Sequence, residues 1–161
     1  MQNYIHYIFT QSQMEKECLL IALLYIERVL LSAPSSFSSA FTFYLTSLNW
    51  RSFISSALLV ASKMWDDFSM VNSDFVSILR TYHSQVEIQK QSQRGSAASV
   101  ATTLRPFSAA RSHHIDIPRV NNLEAKFLAL IGFNVCVTGE DYARVYFRLT
   151  VRYGTVCKCK E

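Results

Sequence analysis

The chain has 161 residues, 50% of them hydrophobic, and a formal net charge of +4 at pH 7, which suits one domain with a single core. So small a charge does not by itself indicate a nucleic-acid surface, and the most apolar run, Cys18 to Ile26, is too short to span a membrane. The four cysteines form no paired framework and no signal peptide is present, so we expect a soluble, reduced, intracellular protein without disulfides, in the cytoplasm or the nucleus.

Two helices are predicted in the first part of the chain. Tyr4 to Phe9 form a short apolar stretch that suits a helix or a strand, and we favour a packed helical segment. Ser12-Gln13-Met14-Glu15 match the S-x-x-E capping box, which predicts that a second helix begins there and runs to Leu31. Pro34 and the serines around it end that helix, and a loop leads to Asn49.

The segment from Asn49 to Asp67, NWRSFISSALLVASKMWDD, is predicted to be the central helix. Its apolar residues recur at helical spacing on one face, and Leu59 and Val60 extend the apolar surface to the opposite face. A helix with this pattern is buried on all sides, and Asn49 fits its N-cap. The charged residues lie near its ends, so a partner would contact an exposed end.

The second half of the chain predicts further helices and one insertion. Asn72 fits the cap of a third helix, and apolar periodicity is then lost from Gln85 to His114, which predicts a disordered insertion. Pro118 fits the first position of a fourth helix that Gly132 ends in a left-handed cap. Thr138-Gly139-Glu140-Asp141 repeat the capping pattern before a last helix, and 153–161 form a tail.

No pattern indicates catalysis or metal binding. Asp66 and Asp67 are sequence neighbours on a helix or turn and point in different directions, so they make a poor acid/base pair. His113-His114 and Cys157-x-Cys159 lack a second pair that would complete a tetrahedral site. The four glycines stand alone and form no phosphate-binding loop. We therefore expect no enzyme activity, no metal and no cofactor.

Four segments in order resemble the cyclin box: ECLLIALLYIERVLL from Glu17, NWRSFISSALLVASKMWDD from Asn49, VNSDFVSIL from Val71 and NNLEAKFLALIGFNV from Asn121. The A-S-K-x-W-D-D signature, the following N-x-D-F and the closing DYARVYFRL are most similar to cyclin Y. The resemblance implies an all-α cyclin-box helical bundle around one buried central helix. We expect a single domain over 1–152, interrupted at about 85–114, where cyclin Y has a short connection.

The resemblance implies a regulatory subunit that binds and activates a cyclin-dependent protein kinase, of the PCTAIRE or PFTAIRE type that partners cyclin Y. In the family, the lysine of A-S-K and the glutamate of L-E-x-x-F/H-L form the polar centre of the kinase contact. Here they are Lys63 and Glu124, and the same correspondence implies an apolar surround of Met64, Leu128 and Val135.

The residues alone leave simpler interpretations open. Lys63 would also suit the C-terminal end of a helix dipole, and Glu124 would suit a solvated helix face. Core packing explains Met64, Leu128 and Val135 equally well. Trp65 is expected to anchor the core or a turn rather than a partner.

Three departures from the family concern regulation. Arg105 precedes Ser108 by three residues, which suggests the hypothesis that a basic-directed kinase phosphorylates Ser108 and creates an adaptor site; an unselected spacer is the alternative. The first segment lacks the M-R-A-I-L-type sequence with which some cyclins recruit substrates. Gln2 stands where myristoylation requires glycine.

The chain ends soon after the first box, which suggests a single-box cyclin or a truncated chain.

Two alternative functions stay open. A cyclin-fold module in transcription, as in transcription factor IIB, would contact DNA and other factors, and it should cluster its basic residues on one face. Here Arg28, Arg51, Lys63, Lys126 and Arg144 lie on separate predicted helices, so nucleic acid is an unfavoured partner. The other alternative is a helical scaffold that has kept the box but lost its kinase.

Overall fold

The computed structural model describes residues 1–31, 45–95 and 115–153, without the side chains of 91–95 and 153. These ranges contain six α-helices and no strand, which confirms the predicted all-α fold class. The helices are α1 Gln2–Ser12, α2 Lys16–Leu31, α3 Trp50–Trp65, α4 Asn72–Gly95, α5 Ile117–Leu130 and α6 Gly139–Tyr153.

Helix α3 lies at the centre of the fold, as predicted. Every residue from Phe53 to Ser62 is buried, because α2 and α5 pack against α3 and α1 also contacts it through Tyr4. Ala57 and Ala61 have no exposed surface, and such small side chains let the neighbouring helices approach closely. The charged residue of the last turn, Lys63, lies outside this buried stretch.

Three serines of α3 are buried, and each makes a hydrogen bond. The hydroxyl of Ser55 lies 2.6 Å from the hydroxyl of Tyr4. Ser56 donates to the carbonyl oxygen of Ser52 at 2.9 Å, and Ser62 donates to Oδ2 of Asp66 at 2.7 Å. These bonds remove the cost of burying unpaired hydroxyls in an apolar core.

The predicted helical segment at the N-terminus is confirmed as α1, but the predicted capping box is wrong. Ser12 lies at the end of α1, where its hydroxyl donates back to the carbonyl oxygen of Ile8 at 2.7 Å. Gln13 follows with a left-handed φ of 53°, and α2 begins at Lys16. The carboxylate that would have completed the box, Glu15, instead accepts from Trp65 Nε1 at 2.9 Å.

Helix α4 is longer than the sequence predicts. It continues to Gly95, so the residues from Gln85 to Gly95, which were expected to be disordered, are helical. Polar residues with good helix propensity extend the helix without an apolar stripe. The remainder of the insertion, 96–114 with Ser108, and the tail from 154 lie outside the described residues.

The last two helices begin at side-chain caps. Asp116 caps α5 by accepting from the backbone nitrogen of Arg119 at 2.9 Å, and Pro118 is its second residue rather than its first. Gly132 has the predicted left-handed conformation, with a φ of 61°. Thr138 Oγ1 accepts from the backbone nitrogen of Asp141 at 3.1 Å, as the capping pattern predicts.

Arg28 of α2 connects that helix to the segment between α5 and α6. Its guanidinium donates to the carbonyl oxygens of Asn134 and Cys136, both at 2.8 Å, and to Oδ2 of Asp141 at 3.3 Å. Glu27 also forms an ion pair with Arg148 of α6. These contacts fix the segment that contains Val135.

Candidate functional site

Lys63 and Glu124, far apart in sequence, meet on the surface of the fold. Lys63 lies in the last turn of α3, Glu124 lies on α5, and the Lys63 Nζ is 2.6 Å from Glu124 Oε1. Helices α3 and α5 pack directly against each other, and this packing brings the two motifs together. Their side chains keep 31% and 17% of their surface exposed, so both remain accessible to another molecule.

A second contact holds the other oxygen of the Glu124 carboxylate. The amide nitrogen of Asn72, at the start of α4, donates to Glu124 Oε2 at 2.8 Å and to Asn121 Oδ1 at 2.6 Å. Asn72 Oδ1 is buried and accepts no hydrogen bond, so Asn72 does not cap α4 and the sequence prediction of a cap is wrong. The polar centre therefore joins three helices, α3, α4 and α5.

The ion pair contributes more to geometry than to stability. A partly exposed pair of this kind contributes about 0–1 kcal/mol, because solvent screens it and both side chains lose conformational freedom. The pair does restrict where the charges lie. An ammonium group has three donors, and Lys63 directs one of them to Glu124, which leaves capacity for acceptors on a partner.

The three apolar residues predicted around this pair differ in exposure. Met64 follows Lys63 and is 50% exposed. Leu128, one turn after Glu124, and Val135 are half-buried and pack against the hydrophobic core. Their exposed parts are available to a partner, but packing against the core is sufficient to explain where Leu128 and Val135 lie.

Two exposed aromatic residues lie near these positions in sequence, and no sequence motif assigns them to the site. Phe133 follows Gly132, is 69% exposed and has a positive φ of 56°, a conformation that is uncommon for a bulky residue. The signal in the sequence is an apolar residue directly after a glycine cap. Trp65, expected to be a core or turn anchor, is 46% exposed and stacks on Tyr142 with 6.3 Å between ring centroids.

The other motifs do not form a reactive site in the part of the chain that the structure describes. Asp66 accepts hydrogen bonds from the Glu15 backbone nitrogen, Cys18 Sγ and Ser62 Oγ, so its carboxylate is occupied in joining α2 to the end of α3. Within residues 1–31, 45–95 and 115–153 no three His, Cys, Asp or Glu residues are placed to hold a metal ion. His113, His114, Cys157 and Cys159 lie outside those ranges.

None of the described helices has the length and apolarity that crossing a membrane requires. The longest, α4, is polar over much of its length. The apolar helix α3 is covered by its neighbours in the fold.

The cyclin family model matches residues 1–80, about half of the chain. The matched segment includes Lys63 and Asn72, whereas Glu124, Leu128 and Val135 lie beyond it. A search of solved structures finds no significant match. The family match and the all-helical fold together support this chain as a member of the cyclin family.

Proposed function

We propose that this chain is a regulatory subunit that binds a cyclin-dependent protein kinase and stabilises its active state. Cyclins are regulators rather than enzymes, and a kinase-type partner follows from the family in general. The observation that carries the proposal is the Lys63–Glu124 pair, at 2.6 Å, on the surface at the end of the central helix. The partner that we propose is a PCTAIRE- or PFTAIRE-type kinase, because the A-S-K-x-W-D-D signature and the closing helix are similar to cyclin Y.

The mechanism is differential binding. A kinase is active when the glutamate of its C-helix pairs with the β3 lysine that holds the nucleotide phosphates. A subunit that binds only this arrangement increases its population without taking part in the chemistry. A shift from about 1% to about 99% active kinase requires about 5.5 kcal/mol of preference for the active state.

The site offers complementary groups for such a partner. Lys63 supplies a fixed positive charge and Glu124 a fixed negative charge, while Met64 and Phe133 supply exposed apolar surface. Exposed apolar residues beside a few oriented polar groups are typical of protein interfaces. We propose that Leu128 and Val135 contribute the exposed parts of their side chains to the same contact.

An affinity pull-down tests this proposal by comparing the wild type with a variant in which the two charges of the site are exchanged. The variant Lys63→Glu with Glu124→Lys retains an internal ion pair but reverses the charges that a partner meets. Lys90→Glu with Glu87→Lys is the matched control, because these residues form an exposed ion pair on α4 with 3.3 Å between Nζ and Oε1. Circular dichroism first shows that all three proteins are folded.

We expect the wild type and the control to recover a cyclin-dependent kinase from the source cells, and the Lys63/Glu124 variant to lose it. The purified kinase should then phosphorylate a generic peptide faster when wild-type protein is added. Failure of the folded wild type to recover any kinase would overturn the proposal. Equal recovery by all three proteins would place the contact elsewhere.

The nucleic-acid alternative gains no support from the described side chains. Lys63, Arg28, Arg144 and Arg148 each form an ion pair with a carboxylate, so much of their charge is neutralised within the fold. A cluster of unpaired basic residues is what a phosphate backbone requires. We expect elution from heparin near the void volume at physiological salt, and strong retention would revive the alternative.

A further inference from the structure

Asn72 makes an unusual set of contacts for the first residue of a helix. It is the first residue of α4, and the N-cap is Val71, whose carbonyl oxygen accepts from the backbone nitrogens of Asp74 and Phe75. Here Oδ1 is buried without a partner, while Nδ2 donates to Asn121 and Glu124. The side chain therefore leaves a buried acceptor unpaired, which costs stability, and what it gains is a contact with the Glu124 carboxylate.

The direction of this contact is set by chemistry. An ionised carboxylate only accepts hydrogen bonds, so the group that faces Glu124 Oε2 at 2.8 Å must be the amide nitrogen of Asn72. Rotating the amide by half a turn would place its oxygen against the oxygens of both Glu124 and Asn121. In this orientation Asn72 Oδ1 is buried without a hydrogen-bond partner.

The two contacts to Glu124 hold its carboxylate from both sides. Lys63 Nζ lies 2.6 Å from Oε1, and Asn72 Nδ2 lies 2.8 Å from Oε2. With both oxygens engaged, the carboxylate plane is fixed, and so is the direction from which the Lys63 ammonium meets it. A preorganised charge pair loses less conformational entropy when a partner binds.

We infer that Asn72 is a positioning residue of this site, which orients the Glu124 carboxylate so that Lys63 is held ready for the kinase. The effect of Asn72 on the partner is exerted through Glu124 rather than by direct contact. This inference rests on the proposed function for its consequence, but the positioning itself is testable on the isolated protein.

The first test measures whether Lys63 and Glu124 interact less when Asn72 is absent. The unfolding equilibrium constant is measured in urea for Lys63→Met, Glu124→Gln and the double variant, first with Asn72 and then with Asn72→Ala. With Asn72 present, the factor by which the double variant changes the unfolding equilibrium constant should be about two- to fivefold smaller than the product of the factors for the two single variants. With alanine at position 72 this factor should fall towards one. The same factor in both backgrounds would overturn the inference.

The second test uses the kinase recovered by the pull-down. Asn72→Ala should weaken its binding several-fold, whereas the same change in a Glu124→Gln background should have little further effect. Asn122→Ala is the matched control, since this exposed asparagine lies next to Asn121 on α5. If Asn72→Ala does not fold, Asn72→Ser keeps a small polar side chain that is too short to reach Glu124, and it replaces alanine in both tests.

The two tests separate failure of the inference from failure of the proposed function. A lost Lys63–Glu124 interaction in the Asn72→Ala protein establishes positioning even if no kinase is recovered. An equal reduction of kinase binding by Asn72→Ala with and without the Glu124 carboxylate would show that Asn72 acts independently of Glu124, and it would overturn the inference.

Discussion

Arg28 of α2 donates from Nη1 to the carbonyl oxygen of Asn134 at 2.8 Å. Its Nη2 reaches the carbonyl oxygen of Cys136 at the same distance. One side chain thus satisfies two backbone carbonyls of the irregular segment between α5 and α6, and the Tyr25 hydroxyl donates to the carbonyl oxygen of Val135 between them, also at 2.8 Å. The connection between α5 and α6, with Phe133 and Val135, is held in place by this contact.

Replacing Arg28 should therefore destabilise the fold more than its partial exposure suggests. We expect Arg28→Ala to lower the free energy of unfolding by about 1–2 kcal/mol, because two backbone carbonyls and Asp141 lose a charged donor. Urea unfolding followed by circular dichroism measures this loss. Arg144→Ala is the control, since Arg144 binds the same Asp141 from an exposed position and should cost about 0.5 kcal/mol or less. Equal losses would show that the carbonyl contacts contribute nothing.

Substitutions of Tyr4 and Ser55 should have coupled effects on stability, because the two hydroxyls are buried and lie 2.6 Å apart. Tyr4→Phe should cost about 1–2 kcal/mol, since it leaves the Ser55 hydroxyl without its partner on α1. Tyr4→Phe with Ser55→Ala should cost less than the sum of the single changes. A strictly additive double variant would argue against the bond. Thermal unfolding of the four proteins supplies the comparison.

Stability should fall at high pH. Burial, with the Asp66 carboxylate, raises the pKa of the Cys18 thiol from 9.0 to about 12, and burial raises the pKa of Tyr4 from 10.0 to about 12. In the unfolded chain both groups ionise near their ordinary values, so the stabilisation is complete below about pH 9 and is lost as the pH rises towards 12. Urea unfolding across this range should show a declining free energy. Cys18→Ala should show a shallower decline, and an identical slope would exclude a contribution from Cys18.

Alanine should be tolerated less well at Gly132 than at Gly139. Gly132 has a φ of 61°, and no atom lies within 4 Å of the position that a Cβ would occupy. Alanine therefore meets no clash there but must adopt a left-handed conformation, at a cost of about 1 kcal/mol. Gly139 starts α6 without a positive φ, and alanine there should be neutral or slightly stabilising. Thermal denaturation distinguishes the two, and a Gly132→Ala protein as stable as the wild type would contradict the expectation.

The central helix could be predicted closely from the sequence, while several caps could not. Helix α3 was identifiable because its residues are apolar on nearly every side, a pattern that is typical of a buried helix. Ser12 and Asn72 match capping patterns, but Ser12 bonds to the preceding turn and Asn72 bonds to Glu124. Local spacing identifies which groups are able to cap a helix, and tertiary packing decides which of them do.

The candidate site also contains residues that could be predicted from the sequence and one that could not. The A-S-K and L-E-x-x-F motifs point to Lys63 and Glu124, which the structure brings together. No local pattern indicates that Asn72 joins them, because that contact depends on how α4 lies against α5. The length of α4 could not be predicted from apolar periodicity, because a solvent-exposed helix needs no apolar stripe. It needs residues of good helix propensity, and the sequence beyond Gln85 supplies them.

The rotational setting of α3 is fixed by polar contacts with its neighbours. The buried hydroxyl of Ser55 bonds to Tyr4 of α1, and Asp66, which accepts from the Ser62 hydroxyl, also accepts from the Glu15 backbone nitrogen and Cys18 Sγ. Turning α3 by a single position would separate Ser55 from Tyr4 and leave its hydroxyl unpaired in apolar surroundings. The direction in which the Lys63 side chain points is therefore set by contacts within the fold and not by a partner.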